Sequence, residues 1–590
     1  MKIQRDSKLD KFLLPILLLT LLNQQAAAAT PCGLPGKVTD PLFPKQWHLE
    51  NDGTTTGALK GEDIGVVSIW NQGCKGIGVN VVTVDDGMEF SHEDLSPNYD
   101  SSFGIDFSGL GGGAGFFNKE DCLSNKGIGC HGTAVSGIMA ARDSNGLGVS
   151  GVAPRAKVGV RNVLFNPTDS NSSRAMSENA TPVWVSNNSW GATDNTGNLI
   201  GPGNLWRSGV ESGFSIGRNN LGSLFFWAGG NGGRFLASTS TALTAELASG
   251  QFLNVNYMKV GVAPTDNSNY DGQANHFRTI AVAASGNNGI RSSYSEEGAN
   301  LLITAPSLGS TGAGIVTTDI STNGGYNKST TSSDLSDKNY TDTFSGTSAA
   351  SPVAAGVGAL ILEANNKLTA RDVRVILARS AKQIDATDPD WITNGGELKF
   401  NHKYGFGRVD ASKAVSLAKN WSNIGPEIVT ANISGPTTSS TILNNTPAGI
   451  TNIATVTGSR IEKVEFVEVT VSISTPATDD PGDLYIELVS PSNTKARLMV
   501  PRICPNNSYC NAVSAWTFGA TIFMDERADG NWTLRIADVC NKSGDFTCTS
   551  SSLYPQSRIG ANFSYSSSVT IGNQNHTLTS WSMRIRGRAN

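Results

Sequence analysis

The sequence lacks an excess of positive charge, and charged residues are sparse overall. Its 590 residues include 45 Lys or Arg and 50 Asp or Glu, which gives a formal net charge of −5 at pH 7. No basic patch is interleaved with aromatic residues, so nothing indicates a nucleic-acid interface. Histidine is also scarce, with 6 residues, and none is spaced with the 8 cysteines as zinc ligands would be. We therefore predict no nucleic-acid partner.

Long apolar runs are absent beyond the N-terminus. There, the run from Phe12 to Leu22 is too short to span a bilayer comfortably. Small residues at 26–29 follow it, and four basic residues precede it: Lys2, Arg5, Lys8 and Lys11. This order is typical of a cleaved signal peptide. We predict a signal peptide over residues 1–29 and a secreted protein, extracellular or periplasmic in a bacterium, with no stable membrane anchor.

The cysteines form two even groups, four before residue 131 and four after residue 503. Even groups in an exported chain indicate disulfides, although sequence alone cannot fix their connectivity. Short separations favour three pairs and leave a fourth: Cys122–Cys130, Cys504–Cys510, Cys540–Cys548 and Cys32–Cys74.

Strand-like and helical stretches alternate through the first 420 residues. Apolar runs such as 77–83, 183–185 and 224–227 end at polar or glycine-rich segments. This alternation predicts an α/β domain with a parallel sheet flanked by helices, and it places functional sites at the strand C-termini. After about residue 420, short alternating runs predict an all-β, jelly-roll-like sandwich. Because the chain exceeds one ordinary core, we predict two domains, at residues 30–420 and 421–590.

Ser348 stands at the start of a predicted helix, within Gly-Thr-Ser-Ala-Ala-Ser-Pro at residues 346–352. A hydroxyl there lies among unpaired backbone N–H groups at the positive end of the helix dipole. Such a place favours an oxyanion beside a nucleophile. The ordinary alternative is a Ser or Thr cap on a core helix.

Two more polar residues stand at the ends of predicted elements, Asp85 after a strand and His131 at a helix start. Acyl transfer needs a nucleophile, a base that takes its proton, and a carboxylate that holds the imidazole. Alone, Asp85 also fits a turn and His131 a core position. Together with Ser348, in the chain order Asp, His, Ser, they predict a catalytic triad.

Five short motifs together resemble the subtilisin superfamily and, within it, the kexin/furin branch, above all the secreted kexin-like proteases of Gram-negative bacteria. They lie at residues 84–87, 131–133, 189–191, 230–233 and 346–352. Segments 482–491 and 529–534 resemble the P domain of that branch. The resemblance implies that Ser348 attacks the scissile carbonyl, His131 takes its proton, Asp85 orients His131, and Asn231 donates to the oxyanion.

The resemblance also implies how a peptide or protein substrate binds. An extended substrate would pair with the backbone of 189–191, an acid would face its P2 side chain, and two acids would hold a basic P1 side chain. The backbone segment is Ser189, Trp190 and Gly191. The acid that faces P2 is Asp86, and the two acids that hold P1 are Asp194 and Asp271. Cleavage after Arg or Lys follows, preferably at dibasic sites. Each pocket acid alone also fits a solvated loop.

Where the sequence departs from the branch, we expect weaker recognition beyond P2. Ile128 and Ile200 stand where the branch carries further acids. A segment between Arg234 and Asp266, rich in Thr, Ser, Ala and Gly, falls between the oxyanion residue and the pocket base. We expect this insertion to form part of the cleft rim.

Two calcium sites are implied by the resemblance, and Ca²⁺ is the predicted cofactor. Calcium takes several oxygen ligands, from carboxylates, amides and backbone carbonyls. The first site uses side chains of Asp40, Asp94 and Asn145 and carbonyls of Arg142, Leu147 and Val149; the second uses Asp194, Asp266 and Glu296. These residues also fit the alternative of turn and cap positions, which Asp and Asn favour.

A folding pro-domain is not expected, because only about ten residues separate the predicted signal cleavage site from Asp40. Sheets of this kind fold slowly, and the bacterial relatives suggest a separate chaperone protein as a partner. Two alternatives remain open from the sequence. One is a broad-specificity subtilisin-like protease, and the other is an adhesion or binding protein with a vestigial protease domain.

Overall fold

The structure is a computed structural model, and it describes residues 32–110, 122, 128–233, 235–237, 262–264, 266–309, 312–321, 323–330, 335–436, 439–477, 481–502, 510–543, 545–549, 562–565 and 574–589. The predicted signal peptide, Cys504 and most of the insertion between 234 and 266 lie outside the described residues.

Seven α-helices fall within the described ranges. They are α1 Val67–Asn71, α2 Cys130–Ala140, α3 Asp169–Ser177, α4 Asn204–Asn220, α5 Thr347–Ala364, α6 Ala370–Ser380 and α7 Ala411–Lys419.

The strands of the N-terminal part are β1 Asn80–Val84, β2 Lys157–Arg161, β3 Val185–Asn188, β4 Leu224–Ala228, β5 Phe235–Ala237, β6 Val262–Pro264, β7 Thr279–Ser285, β8 Leu301–Pro306, β9 Ile315–Thr318, β10 Tyr340–Phe344, β11 Ile392–Thr393 and β12 Lys399–Phe400. The remaining strands are β13 Ile428–Val429, β14 Ile433–Ser434, β15 Ser440–Ile442, β16 Thr446–Val456, β17 Lys463–Ser474, β18 Leu484–Val489, β19 Lys495–Met499, β20 Trp516–Ala520, β21 Gly530–Asp538, β22 Cys540–Ser543, β23 Asp545–Thr549, β24 Asn562–Tyr565 and β25 His576–Arg588.

A six-stranded parallel sheet organises the N-terminal part, in the order β2-β1-β3-β4-β7-β8. Strands β3, β4, β7 and β8 are buried along their whole length, as expected where both faces of a parallel sheet are covered. This finding confirms the predicted α/β class. Because the strands are parallel, their C-terminal ends meet along one edge, and the residues that follow β1, β3 and β4 lie there.

Helix α5 passes through the core, against α2 and against strands β3, β4, β7 and β8. Among the described residues it is the one helix with the length and hydropathy of a membrane span, contrary to the expectation from sequence, but 89% of it is buried inside the fold. Pro352 lies within it and has no N–H, so the helix leaves the carbonyl of Ser348 without its usual partner. The Ser189 hydroxyl donates to that carbonyl at 3.0 Å.

Two large antiparallel sheets build the C-terminal part, in the orders β13-β25-β17-β20 and β16-β21-β18-β19, and β14 and β15 also pair with β25. A smaller antiparallel sheet has the order β22-β23-β24. The alternation in β17 and β25 places their apolar side chains inside. Between the sheets, the Trp581 indole donates to the Asn452 side chain at 2.7 Å. The predicted all-β domain is thereby confirmed, while its boundary at residue 421 stays a prediction.

The C-terminal sheets hold the segment that carries Asp271. The Asn269 side chain exchanges two hydrogen bonds with the Gly519 backbone, at 2.7 and 3.0 Å. The Tyr270 hydroxyl does the same with the Val500 backbone, at 3.0 and 3.1 Å. The position of the predicted pocket base therefore depends on contacts between the two parts of the chain.

Two of the predicted disulfides, Cys32–Cys74 and Cys122–Cys130, are confirmed. Cys510 is also disulfide-bonded, but its predicted partner lies outside the described residues. Cys540 and Cys548 are opposite residues of β22 and β23, and the pairing of their side chains stays a prediction.

Candidate active site

Asp85 and His131 come together at the C-terminal edge of the parallel sheet. Asp85 directly follows β1 and is fully buried, and His131 is the second residue of α2. The His131 ring lies with Nδ1 2.9 and 3.0 Å from the two Asp85 carboxylate oxygens. Gly132 permits this approach, because a Cβ there would collide with the carbonyl of Gly87. The carboxylate is thus placed to hold one imidazole tautomer.

Asp86 contacts the start of the same helix. Its carboxylate accepts hydrogen bonds from the Gly132 N–H at 2.8 Å and the His131 N–H at 3.3 Å. Burial and then the charge of Asp85 raise the pKa of Asp86 to about 7. Burial would lower the pKa of His131, but the charge of Asp85, the hydrogen bond that His131 donates to Asp85 and the charge of Asp86 together raise it to about 9.

Asn231 contacts the first residue of α5, which directly precedes Ser348. The Asn231 side-chain oxygen accepts hydrogen bonds from the Thr347 N–H at 2.8 Å and the Thr347 hydroxyl at 3.0 Å. The Ser348 hydroxyl donates to the Ser189 carbonyl at 3.3 Å. Because the amide oxygen of Asn231 is engaged, its N–H donors are the groups left to offer to a ligand.

No hydrogen bond joins Ser348 to His131, both of which lie in the described ranges. The rings of His131 and Phe344, four residues before Ser348, lie 5.4 Å apart, so the segment leading into α5 passes beside the imidazole. Catalytic hydrogen bonds are often loose before substrate binds. The Asp85–His131 pair is formed, and its link to Ser348 stays a prediction.

A cavity of about 330 Å³ connects half of the predicted site residues, although neither Asp85 nor His131 lines it. Its lining brings together the predicted nucleophile, the oxyanion donor, the substrate-pairing segment and the acids: Ser189, Trp190, Gly191, Asp194, Asn231, Asp266, Asp271, Glu296 and Ser348. Asp86 is not among the lining residues and contacts the His131 side of the site instead.

Asp271 forms a fixed acidic point in this cavity. Its carboxylate accepts hydrogen bonds from the Ala192 N–H at 2.8 Å and the Gln273 N–H at 2.6 Å. A Cβ at Gly191 would collide with this carboxylate, which explains why glycine stands there. Burial, and next to it the charge of Asp194, raises the pKa of Asp271. A ligand cation would offset this cost.

The predicted second calcium site lies in the same cavity wall. Asp194 accepts from the Asn231 N–H at 2.8 Å, Glu296 from the Gly232 N–H at 2.9 Å, and Asp266 from the Gly197 N–H at 2.6 Å. Burial and the neighbouring acids raise the pKa of Asp266 to about 6 and that of Glu296 well above its ordinary value. Three crowded carboxylates fit a calcium ion, which takes oxygen ligands.

The predicted first calcium site is gathered from three separate segments. Asp40 and Asp94 are buried. Asp94 accepts hydrogen bonds from the Asn145 side chain at 2.7 Å and the Val149 N–H at 2.9 Å, and Asp40 accepts from the Asn145 N–H at 3.2 Å. The residues whose backbone carbonyls the resemblance implies as ligands lie in the same segment as Asn145: Arg142, Leu147 and Val149. Two buried carboxylates and an amide oxygen fit calcium.

Sequence reasoning missed Thr347, which orients Asn231. Its hydroxyl donates to the Asn231 side chain and accepts from the Gly230 N–H at 3.2 Å. The Thr of Gly-Thr-Ser is visible in the sequence, but from the sequence alone its hydroxyl fits a helix cap equally well. The hydrogen bond from the Ser189 hydroxyl to the Ser348 carbonyl was also missed, because it joins residues 159 positions apart.

Known proteins share both parts of this architecture. The family model "Subtilase family" matches residues 76–407, and the model "Proprotein convertase P-domain" matches residues 464–549. Human proprotein convertase subtilisin/kexin type 6 is 32% identical over 85% of this chain and 46% of its own length, and bovine furin is 31% identical over 87% and 57%. The chain thus spans about half the length of these relatives.

Solved structures agree with this assignment. The crystal structure of a serine protease of Aeromonas sobria superposes with a TM-score of 0.77 at 25% identity and covers 95% of this chain and 98% of that one. Another structure contains that protease together with a chaperone and has a TM-score of 0.78. From the matched sequence and the superposed architecture, the chain belongs to the subtilase family, in the kexin- and furin-like branch whose catalytic domain is followed by a P domain.

Proposed function

We propose that this chain is a secreted, calcium-dependent serine endopeptidase of kexin type that cleaves after Arg or Lys, preferably at dibasic sites. The observations that carry the proposal are the cavity lined by Ser348, Asn231 and four acids, and the contact between Asp85 and His131. Profiling cleavage sites in a peptide library tests it. Cuts concentrated after basic residues are expected, and cuts spread over apolar residues would favour the broad-specificity alternative.

In the proposed reaction, Ser348 attacks the scissile carbonyl while His131 takes the hydroxyl proton through Nε2. Asp85 stays ionised, holds the proton on Nδ1 and stabilises the imidazolium that forms. His131 then gives its proton to the leaving amine, and water resolves the acyl-enzyme by the same steps. The amide of Asn231 and the N–H of Ser348 stabilise the tetrahedral oxyanion, a contribution of about 3 kcal/mol for the side-chain donor of a related enzyme.

Substrate selection is assigned to the acids and to the backbone beside them. An extended peptide would pair with the Ser189–Gly191 backbone, which brings its P1 side chain towards Asp194 and Asp271. The Asp271 carboxylate is partly buried and accepts hydrogen bonds from three backbone N–H groups. An uncharged P1 side chain would give the Asp271 carboxylate no cation to bind, so the proposed pocket rejects it. Asp86 is proposed to face a basic P2 side chain.

The pH dependence is expected to follow the pKa of His131, to which the charge of Asp86 contributes less than Asp85 does. His131 must be neutral to act as a base, and with its pKa raised to about 9 the activity should rise with pH up to that value. Asp86→Asn removes one of the charges that raise this pKa, so the acidic limb of kcat/KM should move to lower pH. The measurement uses a substrate with Ala at P2, which makes no use of Asp86 for binding.

Asp52→Asn is the control, because Asp52 is an exposed carboxylate outside the site. This variant should keep the native pH profile. An acidic limb that stays in place in Asp86→Asn, or moves to higher pH, would contradict the proposed electrostatic role.

Calcium is expected to stabilise the folded chain. The oxygen ligands would come from the two acid clusters described above, where a bound cation relieves repulsion among buried carboxylates. At a calcium concentration one hundred times Kd, one site would contribute about 2.7 kcal/mol. Chelation with EGTA should therefore lower Tm, and added calcium should restore it. Asp94→Asn should reduce this calcium-dependent shift, whereas Asp52→Asn should not; an unchanged Tm on chelation would contradict the assignment.

An external chaperone is proposed to assist folding. The support is the structure of the Aeromonas sobria protease in complex with a chaperone. Expression of this chain with and without a co-expressed chaperone of that type tests the proposal. We expect active protein only with the partner, and full activity of the chain expressed alone would contradict it.

Secretion is tested by N-terminal sequencing of the exported protein, which should begin after Ala29.

A further inference from the structure

Three metal-ligating side chains lie together inside the C-terminal sandwich, away from the cavity of Ser348. Asp483 closes the short turn Pro481–Asp483 before β18, Asp538 is the last residue of β21, and His576 is the first residue of β25. Leu484, the residue after Asp483, pairs with Asp538 across the two strands. All three side chains are almost completely buried, at 2%, 0% and 0% exposure.

The distances within this cluster suit ligands that share one ion. His576 Nε2 lies 3.5 Å from Asp483 Oδ1 and 3.8 Å from Asp538 Oδ2, and one ligand atom from each residue lies within 4.8 Å of the others. Hydrogen bonds between such groups would be about 2.7–3.2 Å long. Donors around a tetrahedral zinc, bound at about 2.0–2.2 Å, lie roughly 3.4 Å apart.

The orientation of His576 is also that of a metal ligand. Its other ring nitrogen, Nδ1, lies 3.3 Å from the Thr475 hydroxyl. An outer contact of this kind fixes the ring so that Nε2 faces the two carboxylates. One ligating atom of each residue therefore lies within reach of a common centre.

We propose that Asp483, Asp538 and His576 bind one divalent transition-metal ion, of which zinc is the representative. Two carboxylates and an imidazole form the mixed oxygen and nitrogen donor set that zinc accepts. Calcium takes oxygen ligands, so His576 distinguishes this site from the two acid clusters of the catalytic domain. With three protein ligands, a fourth position is left for a water molecule.

The ion has a structural role. β18 and β21 belong to one sheet, and β25 belongs to the other. Ligands from both sheets meet at one end of the sandwich, so the bound ion joins the sheets there. Because the ligands are supplied by strand ends and a short turn, the site is formed by folding, and the metal stabilises the folded sandwich by binding it.

The test uses the full chain carrying Ser348→Ala, in saturating calcium, so that self-digestion and the calcium sites do not contribute. After metal removal and dialysis against zinc, mass spectrometry of the bound metal should give one zinc per chain. His576→Gln and Asp538→Asn should lose it, and Thr475→Val should weaken zinc binding about tenfold. Asp529→Asn, which alters an exposed carboxylate of the same sandwich, should retain it.

Absence of zinc from the chain with intact ligands, or full retention in His576→Gln and Asp538→Asn, would overturn the proposal. Should those variants fail to fold, Co²⁺ bound to the intact ligand set provides a second measurement. Visible absorption bands that one equivalent of zinc abolishes, and calcium does not, are expected; no bands would overturn the site. Both results are independent of peptidase activity, because the nucleophile is absent throughout.

Discussion

Replacing Ser348 with alanine is expected to lower kcat on peptide substrates by about 10⁶-fold, the size of the loss found for the subtilisin nucleophile. The variant keeps the oxyanion donors and the substrate-binding backbone, so some acceleration over water should persist. Substrate affinity should change little, because the hydroxyl acts on the reacting carbonyl. Initial rates under substrate saturation, with the inactive variant at high concentration, measure the loss.

Ser351→Ala is the matched control in the same helix. The Ser351 hydroxyl donates to the Asn187 side chain at 2.7 Å and is buried, so its loss costs about 1 kcal/mol of stability. The Ser351 hydroxyl bonds Asn187 and has no role in the proposed reaction, so the activity of this variant should stay near native. A Ser348→Ala chain with activity comparable to Ser351→Ala would contradict the assignment of the nucleophile.

Asp271→Asn is expected to abolish most of the preference for a basic P1 residue. A pocket built around buried charged groups can discriminate by about 10⁴–10⁵-fold, so native kcat/KM for P1 Arg should exceed that for P1 Leu by a ratio of this order. Asn keeps the size of Asp271 but not its charge. The Arg-to-Leu ratio should therefore fall by about 100-fold or more, measured with paired peptides that differ only at P1.

Citrulline at P1 is the matched control, since it has nearly the shape of Arg without its charge. The native chain should cleave the citrulline peptide poorly, and Asp271→Asn should reduce the difference between Arg and citrulline. Equal cleavage of Arg, citrulline and Leu peptides by the native chain would contradict the charged pocket and favour a broad-specificity protease.

Elements with a strong local pattern were predictable from the sequence. The β-branched run before Asp85 is β1, the helix beginning at His131 is α2, and the small-residue stretch around Ser348 opens α5. In each case a periodic apolar pattern and a polar terminus agree, so local preference and the global fold favour the same structure. The family resemblance then indicated that the polar residues at these element ends, Asp85, His131 and Ser348, act together.

Contacts between distant segments could not be predicted in this way. Three hydrogen bonds of the site depend on how whole elements pack. They join Ser189 to the Ser348 carbonyl, Thr347 to Asn231, and Gly519 to Asn269. The sequence also gave no indication of the cluster around His576, because its three members are supplied by different strands with no local spacing motif. Periodicity reports which face of an element is buried, but not which side chains meet it.

Covalent labelling with a serine-specific organophosphonylating reagent tests the central claim most directly. The account predicts that the native chain is inactivated with one label per chain, located by peptide mass spectrometry on Ser348. It predicts little labelling in His131→Ala, because the hydroxyl there lacks its base. A label on another serine, or labelling of Ser348 that is equally fast without His131, would contradict the triad of Asp85, His131 and Ser348.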